Sequence, residues 1–580
     1  MSKQSFIGAL CAAMMLVQLG TAQSAVPVAA APGSATATPQ AASAEDLKQL
    51  RERIAQQEAQ IKQLQQAVDE QQKILERSLA ASAAQPASAA TGDGTAVVAT
   101  STASTAQPVK LIPALGGTRP LVTASTASGR GGQHNMANQP SKLSISIGNT
   151  TFTPLGFVDA TFFGRSTNVG SGIGSNFGAI PYNTSAANHL SEANFTTQNS
   201  RIGFRVDSEV LGAKVLGYFE ADFLGNQPTT VFVSSNSDTF RMRNVFVDIE
   251  KHGFEVLAGQ DWSMMTPNRK GLSPLPSDIF YTQDMDTNYQ AGLVWSRQTQ
   301  FRFIAHPNAN LAFGLSLENP DQYLGGVNGS GVVTAPAAFS STASAQFNNG
   351  AGLNYTTPNL HPDIVFKGAY DGHVGDKLMH VEAAGLVRSF KFVNGAGTPA
   401  KYSSYTATAA SGEVNANLEV AKNVHLIANT FFGSGNGRYI FAQAPDVVIR
   451  ADGSIAPLHS YSTVDGFEAN LSKNTLLYAY YGGIHIDRDQ VFDSTAAGST
   501  LAKPVYVGYG YQGAPNSQNR NIQEGTLGIV QTFWKNPNYG ALSLITQYSY
   551  LTRNPWYVAV GAPKDTHSNM YWINLRYTLP

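Results

Sequence analysis

From about Leu155 to the C-terminus, polar and apolar residues alternate in segments of roughly ten, separated by connectors that are alternately very short and very long. Few folds need that layout. A closed antiparallel barrel in a membrane does: one face of each strand meets lipid, the other meets water, and the turns lie at one rim with the loops at the other. The segment Lys214 to Phe223 shows it clearly. Val215, Gly217, Phe219, Ala221 and Phe223 fall on one face, and Lys214, Leu216, Tyr218, Glu220 and Asp222 on the other.

Composition agrees. Of 580 residues, 42% are hydrophobic and only 13% charged, yet the mean hydropathy is -0.15. Beyond the N-terminus no apolar run reaches the ~20 residues of a transmembrane helix. Membrane strands escape such a count because only every second residue is apolar. A net charge of -1 argues against nucleic-acid binding. Residues 1–25 read as a secretory signal: Lys3, then the apolar stretch Phe6 to Leu19, then a small-residue cleavage site near Ala22. The only cysteine, Cys11, sits in that stretch, so the mature chain is expected to lack disulfides and thiol chemistry.

Residues 26–42 are Ala, Pro, Ser and Thr without a core pattern and read as disordered. Ser43 with Asp46 resembles a capping box opening a helix. Heptads follow: Leu47, Ile54, Ile61, Val68 and Leu75 hold one seam position, and Leu50, Gln57, Leu64, Gln71 and Ser78 the other. The reading is a coiled coil over 43–80, and hence a homo-oligomer. Residues 81–141, rich in Ala, Ser, Thr and Gly, read as a linker. The barrel is expected over 142–580.

Counting alternating segments gives about sixteen strands, the even number that single-chain bacterial barrels carry. The second spans 197–207, the sixth 289–304, the eighth 354–371, the ninth 376–390 and the tenth 406–420. The fold class is therefore an all-β membrane protein, a 16-stranded antiparallel barrel preceded by an α-helical coiled coil. Short turns face the periplasm, which places the heptads there too. In the last strand Tyr571, Ile573, Leu575, Tyr577 and Leu579 are expected to face lipid, with Trp572, Asn574 and Arg576 inward. The chain ends Leu579-Pro580 rather than on an aromatic residue.

Several stretches resemble the DcaP-like outer-membrane porin family: Gly156–Asp159, Thr197–Phe204, Phe240–Arg243, Gly259–Ser263, Arg297–Arg302 and Gly433–Ile440. The resemblance implies a trimer, periplasmic helices ahead of the barrel, and passage of small anionic solutes such as dicarboxylates.

Selectivity in a wide barrel comes from charged side chains near a constriction. The candidates are Arg201, Arg205, Arg241, Arg243, Arg269, Lys270, Arg297, Arg302 and Arg388. They read either as a track guiding anions, since guanidinium stays charged and binds carboxylates bidentately, or as ion-pair partners bracing the lumen. Arg241 and Arg243 share parity with the apolar Val245, Val247 and Ile249, which demands a bulge. Arg297 conflicts likewise with Ala291, Leu293 and Trp295. The loop 264–288, stiffened by Pro267, Pro274 and Pro276 and carrying Arg269 and Lys270, is the candidate constriction. Asp284 and Asp286 read either as an opposing charge across the constriction or as a surface cation site. Tyr478, Tyr480, Tyr548 and Tyr550 read as interfacial girdles rather than a sugar slide. His134, His189, His252 and His306 are scattered, and no metal spacing or phosphate loop appears. The expectation is a non-enzymatic, cofactor-free channel in the outer membrane of a Gram-negative-type bacterium. It would contact outer-membrane lipid, its own copies and small anionic solutes such as dicarboxylates, with peptidoglycan as a further contact. The alternatives are a sugar-selective channel and a non-conducting tether or adhesin.

Overall fold

The structure is a computed structural model that describes residues 141–580 apart from residue 176 and segments 226–237, 276–279, 284–288, 327–328, 349–357 and 397–400. The signal, the heptads and all but the last linker residue lie outside the described residues.

Sixteen strands close into one antiparallel ring. They are β1 (Thr150–Arg165), β2 (Arg201–Val210), β3 (Ala213–Asp222), β4 (Arg241–Lys251), β5 (Phe254–Trp262), β6 (Arg297–Asn308), β7 (Leu311–Glu318) and β8 (Asp363–Val374), followed by β9 (Lys377–Ala396), β10 (Lys401–Ala421), β11 (Val424–Ser434), β12 (His459–Asn470), β13 (Thr475–Ile486), β14 (Asn519–Asn536), β15 (Gly540–Pro555) and β16 (Thr566–Thr578). Each pairs with its sequence neighbours, and β16 returns to β1 with Val158 opposite Tyr577. Closure leaves no unpaired edge among these strands, as hydrocarbon requires. The alternation resolves as expected. Val158, Ile202, Phe301, Phe366, Val414 and Ile573 are exposed on the outer wall. Asp159, Arg201, Glu220, Arg302, Glu382 and Asn574 are buried on the inner one. Two short turns, Leu211-Gly212 and His252-Gly253, have positive φ at both residues (53° and 73°, 53° and 78°), the tight hairpin geometry that matches strand twist.

Some boundaries differ. The second strand is interrupted: Glu192–Thr196 makes its own ladder with β1, a turn follows, and the main strand starts at Arg201. Strands β9 and β10 continue to Ala396 and Lys401, so the expected loop 391–405 is mostly hairpin. The eighth strand begins only at Asp363, after Pro362. The largest correction concerns the sixth. Residues 289–296 are not strand; they are buried coil. Ala291, Leu293 and Trp295 alternate like a strand, but they are packed inside the barrel.

The strand-four conflict has the expected cause. The ladder to β3 pairs Glu220 with Asn244 and then Ala221 with Met242, so Arg243 is the extra residue. Below it Val245, Val247 and Ile249 face out; above it Met242 faces out and Arg243 turns inward, 1% exposed.

Candidate functional site

The connector between β5 and β6 folds into the lumen and crosses it. Its ends are tied by Ser263 N–H donating to the Ser296 carbonyl (2.8 Å). Between them the near wall supplies Glu318 of β7, which accepts from Met264 N–H (2.9 Å), and Asp371 of β8, which accepts from Gly271 N–H (2.9 Å). Lys367 of β8 donates to the Thr266 carbonyl (2.9 Å), and Glu382 of β9 accepts from Asn268 N–H (3.2 Å). The far wall, nearly half-way round the ring, holds the rest. Arg269 forms a two-pronged pair with Glu468 of β12 (2.6 and 2.8 Å). Gln283 N–H donates to Gln547 of β15 (2.8 Å), and Ala291 N–H to Glu524 of β14 (2.9 Å). Gly292, with φ of 98°, lies so close to the Thr463 and Gly483 carbonyls that a side chain there would collide with both. The loop thus narrows the barrel from within. Asp284 and Asp286 fall outside the described residues.

Arg201, Arg205, Arg241, Arg243, Arg269, Arg302 and Arg388 are committed to acids. Arg243 bonds Glu220 (2.6 Å) and Asp222 (2.8 Å), and Arg241 also pairs with Asp222 (2.6 Å). Arg201 lies 3.7 Å from Glu220, and Arg205 pairs with Asp207 of its own strand (2.6 Å). Arg302 meets Asp261 (3.2 Å). Arg388 joins Asp363 of β8 (3.0 Å) to Asp446 in the loop after β11 (2.8 Å). Burial pushes the Asp446 carboxyl up, and Arg388 works against that shift. Arg297 does not share the inward parity of Gln298, Gln300 and Arg302; it opens β6 and stacks over Trp262 at 5.2 Å. Its conflict with Ala291, Leu293 and Trp295 dissolves because those residues are not strand. Lys270 stands apart from the paired arginines. It is exposed on the crossing loop, and among the described residues no carboxylate pairs with it.

The tyrosines divide. Tyr548 and Tyr550 face out, 38% and 41% exposed, whereas Tyr478 and Tyr480 are buried inside and stack on each other at 5.3 Å. The expectation of a girdle fails for that inner pair. Nor is it a sugar slide: Phe280 and Tyr281 of the crossing loop cover the rings, and the hydroxyls donate to Gln547 and Glu468.

The outer loops form a second layer that the sequence did not show. Ile173, Phe177, Leu324, Val333, Tyr439 and Val448 belong to one buried apolar cluster with Leu293 and Trp295 of the crossing loop. Their segments are glycine-rich and aperiodic, which hides a core. Inward parity on the ninth strand singles out Glu382 together with His380 and Arg388, whereas the acidic partners Glu318, Glu468 and Glu524 were missed. Inward parity on their strands was the available signal.

No family model and no curated protein matches the chain. Among solved structures, the fold is similar to that of the outer membrane channel DcaP of Acinetobacter baumannii, with a TM-score of 0.52 and 16% identity over 75% of this chain and 98% of that one. The anion-selective porin from Comamonas acidovorans aligns at a TM-score of 0.40 and 10% identity, covering 74% of this chain and 99% of its own, a likeness too distant to carry an argument. The DcaP likeness bears on the fold alone.

Proposed function

We propose that this chain is an outer-membrane porin, a trimer whose water-filled barrels let small hydrophilic solutes diffuse passively, with its heptad helices in the periplasm. The observation that carries this reading is the loop stapled across a polar, charge-lined lumen. Such a loop narrows a barrel while the wall strands beside it keep charged and polar side chains on their inner faces, which suits solute passage better than tethering. Purified protein in planar bilayers tests it: ohmic single-channel steps are expected, and a folded barrel that never conducts would sink it.

We further propose a preference for anions such as dicarboxylates, resting on Lys270 rather than on the arginine row. Arg201, Arg205, Arg241, Arg243, Arg302 and Arg388 have their charge compensated at close range, so they brace the wall. A unit charge about 8 Å from a passing ion is worth about 0.5 kcal/mol in water. The same charge favours the anion and disfavours the cation, so Lys270→Gln is expected to lower the anion-to-cation permeability ratio about fivefold at low ionic strength, read as a shift in reversal potential across a salt gradient. If the shift instead follows neutralisation of Arg201, Arg205, Arg241 and Arg243 while Lys270→Gln changes nothing, the assignment is wrong.

A further inference from the structure

We infer that the outer wall from β11 to β14 is where copies of this chain meet, with Asp465 of one copy accepting hydrogen bonds from Gln523 of the next. The inference rests on the oligomer proposed above and adds its surface. Among the described residues, Asp465 is the one carboxylate on an outward position inside a barrel strand, exposed between Thr463 and Phe467 of β12. Thr463 donates to it (2.9 Å), and no cation pairs with it among the described residues. Elsewhere exposed outward positions carry apolar side chains, as at Ile202, Phe301 and Phe366, or neutral polar ones, as at Thr299 and Thr430. A charge on the lipid face of a barrel strand is costly, and acyl chains offer nothing to offset it.

The surroundings suit a protein partner. Along the register, Asp465 is flanked by Ala428 on one side and by Tyr481 and then Gly525 on the other. A side chain built at Gly525 would meet nothing within 4 Å, so the wall is recessed at that position, beside the exposed Tyr481 ring. Small residues of this kind allow two backbones to approach closely within a membrane. The donor stands beside this recess. Tyr481 donates to the Gln523 carbonyl oxygen (3.2 Å), which leaves the amide nitrogen to donate outward. Acceptor and donor sit on different flanks of the patch, β12 and β14. Two strands of sixteen are about 45° of the circumference, near the 60° between the two contact points of each cylinder in a closed ring of three. A heterologous contact, acid to amide, then closes around three copies without bringing like charges together.

The test is a double-cysteine chain, Asp465→Cys with Gln523→Cys, in a Cys11→Ser background. Within one barrel the two positions are about 9.6 Å apart across two strand spacings, too far for a disulfide. Oxidation of the membrane-embedded protein is expected to give covalent trimers on denaturing gels, and neither single cysteine should do so. If light scattering shows an oligomer that this pair cannot link, while cysteines on the β1–β3 wall can, the surface is wrong and the oligomer stands. A monomer would overturn both. Asp465→Leu serves if the double variant fails to assemble. On a lipid-facing wall leucine should leave any oligomer unchanged or firmer; on this interface it should raise the dissociation constant at least about tenfold. An unchanged constant overturns the inference.

Discussion

Arg269→Ala is expected to raise single-channel conductance and make it noisy, while leaving the barrel folded. Arg269 is the ionic staple between the crossing loop and the far wall, bonding Glu468 through both terminal nitrogens at 2.6 and 2.8 Å. Glu468 is 3% exposed, so the substitution leaves a buried carboxylate held by the Tyr480 hydroxyl (2.7 Å) and stripped of its cation. Removing one partner of a buried pair costs about 3–5 kcal/mol, much of it the penalty on the charge left behind. The near-wall contacts to Asp371 and Glu382 remain, as do those to Gln547 and Glu524. Release is therefore local. Residues near 266–272 gain room to move, which suits a fluctuating lumen better than a lost one. Glu468→Gln should have a milder effect because the amide keeps its hydrogen-bonding capacity. Planar-bilayer recordings separate the outcomes. Quiet steps of unchanged size in Arg269→Ala would mean that the loop does not set the narrowest point.

How much of this was legible depends on whether a constraint was local. The strand faces were, because a period of two is fixed by backbone geometry and one wrong step exposes every polar residue to lipid. The bulge at Arg243 was too, since two arginines cannot share a face with Val245, Val247 and Ile249 in hydrocarbon. Partner identity was partly legible: Glu220 and Asp222 already stood on the polar face of β3, one hairpin from Arg241 and Arg243. What escaped was contact at long range. Nothing local to Glu468 or Glu524 says that a loop some two hundred residues earlier in the chain reaches them. Residues 289–296 mislead for a physical reason. Covered by the wall on one side and loops on the other, they are buried on both parities, and an apolar run of that kind cannot be told from a strand by periodicity alone.

The barrel seam offers the other large effect. Arg576 of β16 places Nε at 2.9 Å and Nη2 at 2.6 Å from Asp159 Oδ2 of β1, and Asn574 and Thr161 also donate to that carboxylate. Asp159 is fully buried, and the guanidinium lies over the Phe157 ring at 4.4 Å. These side chains join the first strand to the last, the contact that forms only when the sheet closes. Arg576→Ala should cost about 3–5 kcal/mol, because Asp159 stays buried without its cation. The loss should appear as a lower temperature for the heat-induced mobility shift on gels and a smaller assembled fraction. Asp159→Asn with Arg576→Met should lose markedly less, since no charge is stranded and the volume is largely kept. A double-mutant cycle isolates the coupling, expected to exceed that of an exposed pair, typically about 0.2–1 kcal/mol. If the single and double variants melt together, the closure is held by backbone pairing and the apolar belt, and the seam network is incidental to it.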